Sequence, residues 1–134
     1  MVRRVLSAKL VVYHDELDPS EVSVRLALEP TDAFRRGQPI VTKRRRYSDH
    51  PTGGWILSSR DLVSQIELEA HVTWLLDRIE PAAEALRSLR SEGRDVALIF
   101  VVSGEEIGGG PTLEAKTLAR IARLELPVDL DVYC

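Results

Sequence analysis

Residues 68–89 read LEAHVTWLLDRIEPAAEALRSL, and the spacing within them decides the fold class. Leu68, Val72, Leu75, Ile79, Ala82, Leu86 and Leu89 recur at intervals of four and three. That pattern places them all on one face of an α-helix. Pro81 interrupts it, since proline removes a main-chain hydrogen bond and clashes with the preceding turn, at ~3 kcal/mol in a straight helix. The stripe nevertheless keeps its phase on both sides. The spacing therefore predicts one kinked helix, or two nearly collinear helices broken at Glu80-Pro81, packed on a single surface. A coiled-coil dimer is the weaker alternative, because heptads interrupted by proline make a poor seam.

Glu92-Gly93 supplies a C-terminal glycine for this helix. Residues 96–102 follow as an apolar run that predicts an interior strand. Residues 112–124 read as a last helix with Ala115, Leu118, Ala119, Ile121 and Ala122 inward. Residues 128–133, VDLDVY, alternate strictly and predict a strand with one wet face. Upstream, residues 7–13 form a β-branched strand. A helix then begins at Asp18 as N-cap, with Pro19 at its first position, Glu21 closing a capping box, and Leu17 and Val22 as a hydrophobic staple. It is expected to reach Leu28, ahead of Pro30. Residues 31–39 read as a loop. Residues 40–47 read as an exposed edge strand, paired as a long-loop hairpin with a second strand at 54–59.

The order is β-α-β-β-α-β-α-β. It predicts an α+β fold: a mostly antiparallel sheet with helices packed on one face, its first six elements ferredoxin-like. Residues 1–134 are expected to form a single domain, without internal repeat or linker. The 44% hydrophobic and 29% charged fractions are those of a globular chain rather than a disordered one. No apolar run approaches the ~20 residues that a membrane span requires, and no signal peptide is expected, since Met1-Val2-Arg3-Arg4-Val5-Leu6 has no apolar segment long enough for one. A lone cysteine, Cys134, forms no internal disulfide. A cytoplasmic protein, monomer or homodimer, is the expectation. Its net charge of −3 argues against a general nucleic-acid binder.

Several segments together resemble the bacterial domain-of-unknown-function family 4279. They are Leu17-Asp18-Pro19 with Leu28-Glu29-Pro30, then Gly53-Gly54-Trp55, then His71-Val72-Thr73-Trp74-Leu75-Leu76 with Glu80-Pro81. Gly109-Gly110-Pro111-Thr112-Leu113 and Asp131-Val132-Tyr133 complete the set. The resemblance spans nearly the whole chain and implies a stand-alone bacterial cytoplasmic domain. It carries over no activity and no catalytic residue. An immunity or accessory role beside a toxin is the kind of function such small bacterial families invite.

Asp15, Glu16 and Asp18 offer carboxylates to a hard cation, but an N-cap explains Asp18 better and the spacing is not that of a calcium loop. His14, His50 and His71 form no zinc-binding pair. Gly108-Gly109-Gly110 precedes a helix without the lysine of a phosphate loop. No catalytic, cofactor or metal role is assigned to any residue. The strongest remaining signal is a basic segment flanked by aromatics: Arg35, Arg36, Lys43, Arg44, Arg45 and Arg46, with Phe34, Tyr47 and Trp55. Arginines beside aromatics suit an acidic protein partner, a nucleotide or a single strand. Charges that guard an edge strand explain the same residues.

The chain thus reads first as a non-enzymatic binding module, immunity-like, using Arg35, Arg36, Arg44, Arg46, Tyr47 and Trp55. A small hydrolase or transferase is the alternative, with a cleft between the glycine-rich loop and the Trp55 hairpin. His50 or His71 would be its base and Ser58 or Ser103 its nucleophile. A structural homo-oligomer is the third reading.

Overall fold

Ten residues of extended chain, Val5–His14 (β1), form the spine of a computed structural model that describes residues 5–41, 46–103 and 110–133. Helix α1 (Pro19–Leu26) follows. Next come three short strands, β2 (Asp32–Phe34), β3 (Pro39–Val41) and β4 (Arg46–Asp49), and the longer β5 (Gly53–Ser58). Helices α2 (Leu68–Ile79) and α3 (Ala83–Ser91) are joined by one 3-10 turn at Glu80–Ala82. Strand β6 (Asp95–Ser103), helix α4 (Ala115–Leu124) and strand β7 (Val128–Tyr133) complete the order.

The break at Glu80-Pro81 lies where the proline demands it. Leu68, Val72, Leu75, Ile79, Leu86 and Leu89 are all buried, so a single stripe runs across both helices. Helix α1 starts as expected: the Asp18 side chain accepts the Ser20 N–H at 3.0 Å, with Pro19 in the first turn. It stops two residues early. Ala27 takes a left-handed backbone (φ 55°) and donates to the Ser23 and Val24 carbonyls, which satisfies the helix end before Pro30 is reached. Glu21 closes no capping box; its carboxylate turns instead to Arg25 and Arg94.

The main sheet has the order β2-β5-β1-β6-β7. Strand β1 is antiparallel to β5 and β6, β2 is antiparallel to β5, and β6 and β7 are parallel. It follows that β1 and β2 run the same way with β5 between them. In the same manner β5 and β6 run the same way with β1 between them. Two βαβ units therefore interleave, and α4 with β7 adds a third crossover beyond them.

One sheet face carries Ala8, Leu10 and Val12 of β1, Trp55 and Leu57 of β5, and Val96, Leu98 and Phe100 of β6, all buried. The helices close over this face, and Leu75, Leu76 and Ile79 of α2 share the same core. Glu69 in the first turn of α2 docks α4. Its carboxylate accepts the Glu114 N–H at 3.0 Å and the hydroxyl of the fully buried Thr117.

Two expectations for residues 31–59 are corrected. Residues 32–34, read as loop, are a strand on the edge of β5. The expected hairpin between residues 40–47 and 54–59 does not form. Strands β3 and β4 pair with each other in a separate two-stranded ribbon, while β5 pairs with β1 and β2.

Candidate functional site

Of the basic run, the described residue Arg46 opens strand β4 of the ribbon. Two main-chain bonds close the ribbon's base: His50 N–H donates to the Gln38 carbonyl at 2.8 Å and Gly37 N–H to the His50 carbonyl at 2.9 Å. Gly37 provides the left-handed backbone (φ 85°) that this reversal uses. The Phe34 ring stacks on His50 with centroids 3.7 Å apart and 9° between planes. Gly54 leaves room for that ring, since a Cβ there would sit 2.5 Å from Phe34 Cζ. His50 is thus a structural clamp.

Arg35 and Arg36 point back to the body. Arg35 reaches Asp18 at 2.9 Å, and Arg36 lies 3.7 Å from Asp15. The acidic and basic groups that are separate in sequence therefore face each other across the β1–α1 turn. Lys43, Arg44 and Arg45 lie outside the described residues. Arg46 and Tyr47 are placed by their backbone in β4. Trp55 is not part of any surface. It is 0% exposed, and its indole N–H donates to Ser23 Oγ at 3.0 Å. The alternation of β5 turns it toward the helices, so its inclusion in a contact surface is corrected.

His71 meets a serine, but the neighbour of the one expected. Ser59 Oγ lies 2.6 Å from His71 Nδ1 and accepts the Ala8 N–H at 2.9 Å. His71 Nε2 lies 2.8 Å from the Gln65 carbonyl. That carbonyl only accepts, so Nε2 carries the proton, and in the neutral ring Nδ1 takes the Ser59 hydroxyl. A base hydrogen-bonded to a hydroxyl and oriented by a third group is the outline of an activated nucleophile. Here Ser59 is 0% and His71 4% exposed, so no substrate reaches them. The pair ties the 59–67 connection to β1 and α2. Ser58, by contrast, accepts the Arg60 N–H and serves a turn, and Ser103 ends β6 opposite Val5.

Two of the clefts bear on these readings. One, of about 700 Å³, lies between the starts of α2 and α4, lined by Leu6, Ile66, Leu68, Pro111, Glu67 and Glu114. No histidine is among its described lining residues. The other, of about 480 Å³, is polar and lined by His14, Asp15, Glu16, Arg36, Thr52 and Asp95. His14 Nδ1 in it accepts the Glu16 N–H at 3.1 Å and is not paired with a carboxylate there. Among the described residues no group of three metal-ligating side chains is assembled, and no helix is long and apolar enough to cross a membrane.

A charged cluster that the sequence did not announce joins α4 to α2. Arg120 donates to Glu80 at 2.9 and 2.7 Å and to Asp77 at 2.6 Å. The Arg120 hydrogen bond holds the Glu80 carboxyl below its ordinary 4.5. A depressed acid contributes stability that is complete above that ordinary value and is lost as the pH falls through the lower folded value. Arg120→Ala is therefore expected to destabilise the fold by about 1 kcal/mol at neutral pH, a solvent-screened magnitude. Its stability is also expected to fall less on acidification than that of the parent. Urea titrations at neutral and acid pH measure both effects, and parallel losses in the two proteins would remove the assignment.

The family model of a domain of unknown function (DUF4279) matches residues 4–134. No curated protein and no solved structure matches the chain.

Proposed function

We propose that this chain, which belongs to the DUF4279 family, is a binding module that meets an acidic protein partner with its β3–β4 ribbon. One observation carries the reading: β3 and β4 form a sheet of their own, apart from the main sheet, and the chain's cationic run ends at Arg46, the first residue of β4. Lys43, Arg44, Arg45 and Arg46 are consecutive, and no acidic residue occurs between positions 34 and 48. In a chain of net charge −3 this is a local positive pole. Charges of that kind speed encounter with an acidic surface and exclude wrong partners. Arg35 and Arg36 precede the ribbon and pair with Asp18 and Asp15 instead.

The hydrolase or transferase reading has less support. The hydroxyl–imidazole pair it needs is sealed in the core, and the larger cleft has no described histidine in its lining. The immunity-like role stays within the binding reading as the case in which the partner is a toxin.

Reversing Arg44, Arg45 and Arg46 to glutamate is expected to reduce partner capture at least tenfold while thermal stability is unchanged. Raised salt should weaken capture by the parent protein but have little effect on the variant, because exposed charges are screened within about 8 Å at physiological ionic strength. Equal capture by parent and variant would end the assignment of this surface.

A further inference from the structure

The main sheet ends on β7. Strand β7 pairs only with β6, in parallel, and its other edge is open among the described residues. Pro127 offers its carbonyl to the Leu98 N–H. Main-chain groups alternate sides along a strand, so the odd-numbered residues of β7 serve β6. Val128, Leu130 and Val132 therefore hold their N–H and C=O groups outward. The register Phe100↔Leu130 puts their side chains on the helix-covered side of the sheet, yet Leu130 is 67% and Val132 63% exposed. Asp129 and Asp131 line the opposite side, where Tyr133 donates to Asp131 at 2.9 Å.

We propose that β7 captures an extended segment of another protein in which apolar residues alternate with lysine or arginine. Apolar side chains of such a segment would continue the row of Val128, Leu130 and Val132. Its basic side chains would lie beside Asp129 and Asp131, where opposite charges on neighbouring strands attract. A second copy of this chain is a poor occupant. Antiparallel pairing of two β7 strands about Leu130 sets each Asp129 opposite the other copy's Asp131, and like charges there repel. The carboxylates that discourage self-pairing thus select a basic strand. This binding mode supplies affinity through main-chain hydrogen bonds and specificity through alternate side chains.

The test uses two labelled peptides, Thr-Val-Lys-Val-Lys-Val-Thr and its counterpart with glutamate for lysine, followed by fluorescence anisotropy on the full chain. The lysine peptide is expected to bind at least tenfold more tightly, and D129K/D131K to invert that preference. Methylating alternate amide nitrogens along one edge of the lysine peptide should abolish binding. Hydrogen exchange should slow at Leu130 and Val132 when the peptide is added. Equal affinities, no binding, or protection confined to other strands would overturn the proposal. Protection of Leu130 and Val132 that grew with protein concentration alone would also overturn it, in favour of self-association. The ribbon is untouched by these changes, so the two surfaces succeed or fail separately.

Discussion

Trp55→Ala is expected to lower the unfolding free energy by about 3–5 kcal/mol, the range for truncating a large buried aromatic. That is a large part of the roughly 5–15 kcal/mol that holds an ordinary domain together. The size follows from position. Trp55 is 0% exposed and stands in register with Val12 on one side and Ala33 on the other. Its indole N–H also ties β5 to Ser23 of α1. Trp55→Phe keeps most of the ring and forfeits that hydrogen bond, so about 1 kcal/mol is expected, with some further loss of packing. Urea unfolding curves give both values. A contact-surface tryptophan behaves in the opposite way, weakening partner capture while the unfolding midpoint stays put. An unchanged midpoint for Trp55→Ala would return the residue to the surface.

The sequence led to the surface reading of Trp55 because Gly54-Trp55-Ile56-Leu57 has no polar residue to tell one face of the strand from the other. The fold was legible where a signal is local and repeated. The stripe from Leu68 to Leu89 and its break at Pro81 are one case, and the cap at Asp18-Pro19 is another. Strand β2 escaped notice because three residues carry no periodicity, and its pairing with β5 is made across twenty-odd positions of chain. The ribbon was read as a single strand over residues 40–47 because the segment between β3 and β4 contains no glycine, proline or asparagine to mark a reversal. The charge segregation was legible but misleading, since Asp15 and Asp18 meet Arg36 and Arg35 only once the chain is folded. The α4 cluster of Arg120, Glu80 and Asp77 had no sequence signal, because its members come from turns forty residues apart that only helix packing brings together.

Ser59→Ala should destabilise the protein almost as much as loss of the tryptophan, although it removes a single oxygen. The Ala8 N–H and His71 Nδ1 both depend on that hydroxyl, at 2.9 and 2.6 Å. Both groups belong to residues at 4% exposure or less, so water does not replace it. A buried polar group left without a partner costs about 1–3 kcal/mol, and two of them together about 2–4 kcal/mol. A change of tautomer brings no relief. A proton moved to Nδ1 finds no acceptor there, and its departure from Nε2 strips the Gln65 carbonyl of its donor. The backbone bond from Ser59 N–H to the Ala8 carbonyl, 3.0 Å, survives and keeps the connection in place. His71→Phe removes the other half of the pair. The two losses should therefore be less than additive, with a coupling of about 1–2 kcal/mol in a double-mutant cycle, as for residues sharing one hydrogen bond. A catalytic pair would act otherwise: its serine would react in the folded protein, and its removal would spare stability. Urea titration of the four proteins, beside a fluorophosphonate probe on the native chain, separates the cases. Labelling of Ser59 without unfolding, together with an unaltered midpoint for Ser59→Ala, would show that the pair is reachable and would revive the hydrolytic reading.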